Sequence, residues 1–253
     1  YNDKYFVKKI IEQDKFQIDD QLEIIIHDDS ENDDISSYIS NINLPKNINY
    51  YKNNQTKGAV KNWNGLLKSA KGDFLWLLHQ FDMPENLQKI LDEVHKGDGV
   101  DIIIIPTRVE KFLFNFFKVN HLHSNNDLIR IILQNPKFLF MLNVIGSPSS
   151  IIARKAYYEN YDDSLNWLVD VENYFRLFKR KIRFRILNNA NILSIHNPNS
   201  ITSNLKNLNS INKRELKYIQ SKHNIQFNLA DKIYLLCLKL IHRLNTIFSI
   251  RIK

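Results

Sequence analysis

Acidic and histidine side chains stand at the ends of apolar runs, where folding can gather them. Asp28 and Asp29 follow the run Leu22 to His27, and His79 and Asp82 follow the run Phe74 to Leu78. Asp170 and Glu172 open a segment with helical spacing, Leu168 to Lys179, while Gly146-Ser147 precede one apolar run and His196 ends another. Carboxylates so placed can accept hydrogen bonds from a polar ligand, hold a hard cation through oxygen, or take a proton in an acid–base step. Asp170 and Glu172 are two residues apart, so they do not share a helix face and only one can point into a site. Plainer roles exist for each group. Asp170 and Glu172 suit a helix amino terminus through its dipole, Asp28 to Asp34 suits a solvated loop or helix cap, and His196 suits an ordinary loop.

The elements that must carry these residues alternate. Tyr5 to Glu12, Val60 to Ala70 and Leu87 to Val94 have helical spacing, and between them fall short apolar runs at Leu22 to His27, Ile48 to Tyr51, Phe74 to Leu78 and Val100 to Ile105. This alternation predicts an α/β fold with a mainly parallel sheet. Ligands of such sheets sit outside the carboxyl ends of the strands, where Asp28, Asp29, His79 and Asp82 fall. Phe112 to Phe140, aromatic-rich and without a clean period, reads as helices and loops over the far half of the sheet. Ile182 to Ile195 reads as a hairpin or strand pair, and Lys213 to Lys253 as helix interrupted near Asn224 to Asn228.

The 253 residues, 43% of them hydrophobic, suffice for one domain with a sizeable core plus an appendage. No apolar run approaches the roughly 20 residues that span a bilayer. The lone cysteine, Cys237, excludes an internal disulfide framework and a Cys-built metal site, and is expected to be a small buried hydrophobe. The net charge of +8 is concentrated: residues 204–253 hold ten of the 35 Lys and Arg but two of the 27 acids, so residues 1–203 are neutral. A division follows, with a body at 1–203 and a basic amphipathic helical tail at 204–253. The tail suits an anionic membrane surface, packing on the body, or a second copy of itself. Nucleic acid is disfavoured as a partner, because the basic groups are confined to a helix whose apolar residues need burial. The chain opens at Tyr1 inside what reads as a strand-to-helix junction, so a preceding strand is expected.

Six motifs in order resemble a family 2 glycosyltransferase of the GT-A fold, of the kind that builds bacterial surface polysaccharides. They are Tyr1-Asn2, Glu23 to Ser30 with its Asp-Asp turn, Asn62-Trp63-Asn64-Gly65 through Asp73, Trp76 to Asp82, Gly146-Ser147-Pro148-Ser149, and Leu168-Val169-Asp170-Val171-Glu172.

The resemblance implies inverting transfer of a sugar from a nucleotide-sugar, UDP-linked by the family's lean, to a hydroxyl of a glycan or lipid-linked acceptor. It places Tyr1, Asn2, Asp28, Asp29, Lys57, Asn62, His79 and Asp82 at the nucleotide, Gly146 and Ser147 on the acceptor side, Asp170 as catalytic base and Glu172 as its backup. It also implies a divalent cation, Mn or Mg, held by Asp82 and His196. The sequence departs from the family there: His79-Gln80-Phe81-Asp82 stands where a run of aspartates is usual, and Phe81 cannot bind a hard cation. Lys57 or Lys61 would then share in stabilising the leaving diphosphate, although both also suit solvent. The location implied is cytoplasmic, peripheral on the inner face of the cell membrane. The alternative from another class is a catalytically impaired nucleotide-sugar-binding or scaffold protein of the same fold.

Overall fold

The computed structural model describes residues 4–12, 21–113, 117–123, 125–195 and 205–252. Its first half alternates as expected: α1 (Lys4–Ile11), β1 (Ile24–Asp28), α2 (Asp34–Ser40), β2 (Ile48–Lys52), α3 (Ala59–Ser69), β3 (Phe74–Trp76), β4 (Asp82–Glu85), α4 (Leu87–His95) and β5 (Ile102–Ile104). Then come β6 (Thr107–Leu113), β7 (Phe117–Leu122), α5 (Asn126–Leu133), β8 (Ile151–Arg154), α6 (Val169–Phe178), β9 (Phe184–Ile186), β10 (Asn191–Ile195), α7 (Leu208–His223), α8 (Leu229–Phe248) and β11 (Arg251–Ile252).

The strands form three ladders: β1-β2, β3-β8-β5-β9 and β11-β7-β6-β10-β4. The α/β reading holds, and its parallel detail holds in part. β1 and β2, β5 and β9, and β6 and β10 run parallel, whereas β3 and β5 each pair antiparallel to β8. Strand β5 is buried on both faces, as its unbroken β-branched run Ile102 to Ile105 requires. Helix α4 turns Leu87, Ile90 and Leu91 inward at helical spacing. In α5, Leu128, Ile129, Ile132 and Leu133 do the same, and Asn125 caps the helix by accepting from the Leu128 N–H at 2.8 Å.

Two expectations are corrected. Part of the stretch read as helices and loops is a β-hairpin, with β6 and β7 antiparallel from Arg108 opposite Leu122 to Leu113 opposite Phe117. Its directly opposed pair Glu110 and Asn120 is buried, so a polar face lies where apolar alternation would have signalled strand. The strands after Ile182 do exist, but they do not pair with each other: β9 joins β5, while β10 lies between β4 and β6.

The tail forms two helices separated at residues 224–228. Ile219, Ile225, Leu235 and Leu238 enter the same apolar core as Leu128, Phe175 and Tyr174. Helix α8 begins at a reciprocal capping box between Asn228 and Asp231. Beyond it, β11 pairs antiparallel with β7. Cys237, expected to be buried, is exposed. Among the described residues no helix is long and apolar enough to cross a membrane.

Candidate active site

A cleft of about 1260 Å³ opens along the ends of β1 and β3, bordered by α3, the turn before β4 and the start of α6. Asp28, Asp29, Asn62, His79, Asp82, Ser147 and Asp170 all line it. Residues spread over more than 140 positions of sequence are thus brought together because strand ends and a helix start converge on one side of the fold.

At one end, Asp28 and Asp29 are held by protein donors. Asp28 accepts from the Ser30 backbone N–H (2.9 Å), the Ser30 hydroxyl and the Tyr50 hydroxyl (2.7 Å). Asp29 accepts from Asn53 Nδ2 (2.7 Å) and from the backbone N–H groups of Lys57 and Gly58 (both 2.9 Å). A carboxylate offers about four acceptor sites, so each has roughly one left for a ligand. Gly58 has φ of 83°, which lets the loop bring its N–H onto Asp29 as α3 begins. Asn62 continues this network, donating to the His27 carbonyl (3.2 Å) and accepting from Asn53 (2.9 Å). The Lys57 side chain is exposed, and its structural contact to the site runs through its backbone N–H.

The deeper end is built around two carboxylates. Asp82 is 4% exposed and accepts from the Ser147 hydroxyl at 2.5 Å. Ser147 is therefore tied to the carboxylate centre rather than to a separate acceptor wall. Gly146, with φ of 103°, is needed beside it: a Cβ there would lie 2.6 Å from Thr107 Oγ1. Asp170, in the first turn of α6, is half-buried at the cleft floor, and its Oδ1 has no hydrogen-bond partner. Desolvation, reinforced by the Asp82 charge, pushes the Asp170 carboxyl up to about 7. A carboxylate titrating there suits proton transfer near neutral pH.

His79 stacks on Trp63, with ring centroids 4.5 Å apart, and its Nε2 has no partner. Burial lowers its pKa against the opposing pull of Asp82, so a neutral imidazole faces the cleft. Trp63 is thus a wall of the site.

Glu172 is corrected as a backup base. It is 0% exposed, absent from the cleft lining, and held by Arg176 (2.9 Å), Lys222 (2.8 Å) and His223 (2.9 Å). Glu215 went unnoticed in the sequence. From α7 it accepts the backbone N–H groups of Asn166 (2.8 Å), Trp167 (3.0 Å) and Leu168 (2.9 Å), which lead into α6. No local signal could reveal a cap supplied from 47 residues away.

The residues described do not fit a protein-built cation site. Phe81 brings no donor, Ser147 occupies one Asp82 oxygen, and no group of three or more His, Cys, Asp or Glu is assembled among the described residues. Phe81 has φ of 67°, a left-handed backbone that a bulky residue adopts at a cost, and its carbonyl accepts from the Ile195 N–H at 2.9 Å. Tyr1, Asn2 and His196 lie outside the described residues.

Among solved structures, S. aureus TarS residues 1–349 superposes with a TM-score of 0.62 at 15% identity, covering 96% of this chain and 68% of that one. The same TarS piece in complex with UDP gives 0.51 at 16% identity, covering 85% and 60%. The mannosyltransferase PcManGT from Pyrobaculum calidifontis, in complex with GDP-Man and Mn2+, gives 0.53 at 10% identity, covering 98% and 69%. At such identities the likeness establishes the fold. This chain spans 40% of the longer TarS structure. No curated protein matches it in sequence. Residues 1–182 match the family described as Glycosyl transferase family 2, and with that match over most of the chain, on a fold shared with glycosyltransferases, the protein belongs to glycosyl transferase family 2.

Proposed function

We propose that this protein is an inverting glycosyltransferase that moves a sugar from a nucleotide-sugar, favoured as UDP-linked, to a hydroxyl of a glycan or lipid-linked acceptor. The observation that carries this reading is Asp170: a carboxylate at the cleft floor whose buried Oδ1 has no hydrogen-bond partner and whose pKa is pushed up to about 7. In the reaction the acceptor oxygen bonds to the anomeric carbon from the face opposite the diphosphate. The carbon–oxygen bond to the diphosphate breaks, the nucleoside diphosphate leaves with the electron pair, and the acceptor's proton passes to Asp170. Burial, reinforced by the Asp82 charge, holds Asp170 in its high-pKa state, and Ser147 fixes Asp82.

The remaining acceptor sites of Asp28 and Asp29 suit the N–H and O–H donors of a base and ribose. The UDP-bound TarS relative supports placing a nucleotide on this fold. Charge on the leaving diphosphate falls to backbone N–H groups and to the exposed Lys57 and Lys61 beside the cleft, because the donor set does not make a cation cage. We place the reaction in bacterial surface-polysaccharide synthesis, at the cytoplasmic face of the cell membrane.

Phe81 favours a second reading, in which a transferase fold binds a nucleotide-sugar without turning it over. Calorimetric titration with UDP and UDP-sugars, with and without Mn2+ or Mg2+, followed by a transfer assay, separates the two. Binding that persists in a chelator, with turnover, is the expected result. Binding without turnover selects the second reading, and no binding of any nucleotide-sugar overturns both.

A further inference from the structure

Helix α8 is apolar on both sides. Its inward side seats Leu235 and Leu238 in the core, at 5% and 2% exposure. Its outward side exposes Leu229, Ile233, Leu236, Leu240, Leu244 and Ile247, at three- and four-residue spacing, with values from 53% to 73%, and Phe248 at its end reaches 84%. Seven large side chains on one face exceed the scattered apolar residues that an ordinary surface carries.

The charges on this helix are also arranged. Lys232, Lys239 and Arg243 follow at seven- and four-residue spacing along one edge of the apolar face, with Lys232 and Arg243 exposed. The helix has one acid, Asp231, which is turned inward onto Lys137 at 2.8 Å. No carboxylate of the helix is left to answer the basic edge.

We propose that the outer face of α8 docks on an anionic lipid bilayer surface, apolar residues entering the interface and the basic edge meeting lipid phosphates. Charge complementarity selects this occupant over a second copy of the chain. Two copies joined through this face would bring two basic edges together, the one acid of each helix, Asp231, being already paired with Lys137. The helix is also presented firmly. The capping box fixes its start, the Ser249 hydroxyl accepts from the Leu122 N–H (2.9 Å) at its end, and β11 then pairs with β7. This surface stands apart from the transfer chemistry, so either can fail without the other.

Co-sedimentation with phosphatidylcholine vesicles, alone or with about 30% phosphatidylglycerol, tests it on the whole chain. The expected result is binding to the anionic vesicles that falls steeply as salt is raised. Neutralising Lys232, Lys239 and Arg243 to Gln should weaken it about 100-fold, taking roughly fivefold per charge. Leu240→Glu with Leu244→Glu should abolish it. Four of the five positions are exposed and Lys239 is half-buried, and unchanged thermal melting and UDP titration in these variants would exclude unfolding as the cause. Absence of binding at low salt overturns the proposal, as does binding indifferent to lipid charge. Concentration-dependent dimerisation that these substitutions abolish, without vesicle binding, would assign the face to a second copy and overturn it too.

Discussion

Glu215 on helix α7 accepts the Leu168 backbone N–H at 2.9 Å, two residues before Asp170. The three N–H groups at 166–168 precede or begin the helix that carries Asp170, and they have no intrahelical acceptor of their own. A carboxylate buried from another element supplies one. The tail thereby helps set where the proposed base points.

Glu215→Ala should therefore cost stability of about 1–3 kcal/mol, since it strands buried donors. It should also lower kcat more than it raises donor KM, as a displaced base requires. Thermal melting combined with steady-state kinetics checks both. A variant that melts lower with unchanged kcat would confine Glu215 to a structural role.

Glu172 belongs to the scaffold. Burial opposes its charged form, yet Lys222, Arg176 and His223 outweigh that and hold its pKa below the ordinary value. A depressed acid contributes stability above its unfolded pKa of about 4.3 and loses it as pH falls through the lower folded value. Glu172→Gln should destabilise the fold by about 3–5 kcal/mol near neutral pH, because Lys222 and Arg176 lose their buried partner. The loss should shrink in acid. Whatever folds should still transfer sugar.

Asp170 shifts the other way. Its folded pKa of about 7 lies above the unfolded 3.8, so the folded state holds its proton more tightly. That contribution is fully present below the unfolded pKa and is lost as pH rises through about 7. Relative to Asp170→Asn, wild-type stability should decline across this window by up to about 4 kcal/mol. Denaturant melts at pH 5 and pH 8 read about 3 kcal/mol of this, the part lost above pH 5. In wild type, kcat/KM should rise with pH through about 7, since the base must be ionised to accept a proton.

Phe81 occupies a left-handed backbone position that costs a non-glycine residue roughly 1–2 kcal/mol. Aspartate tolerates that conformation better and brings an oxygen donor beside Asp82. Phe81→Asp should fold at least as well and should make UDP affinity depend on Mn2+, where the wild-type affinity does not. Calorimetry in chelator and in Mn2+ compares the two proteins directly.

Much of the site was legible because it sits at strand ends. The apolar run before Asp28 and the run before His79 each signal a strand whose polar end must face a ligand edge, and the helix opening at Asp170 shows its own spacing. What stayed hidden depends on contacts between distant segments. Asp170 and Glu172 look equivalent in sequence, and only Lys222 and His223 from the tail show that Glu172 faces inward. The β6 and β7 hairpin escaped notice because Glu110 and Asn120 fill its buried face. Cys237 looked like core, but α8 carries apolar residues on two sides and the cysteine falls on the outer one.

The central claim is that Asp170 takes the proton from the acceptor, and the most direct measurement is transfer by Asp170→Asn with UDP affinity recorded on the same sample. The variant keeps the shape of the cleft and removes the basic oxygen. A fall in kcat of about 10²–10⁴-fold, with UDP affinity within about threefold of wild type, is the predicted result. Turnover at the wild-type rate would contradict it and move the base elsewhere in the cleft.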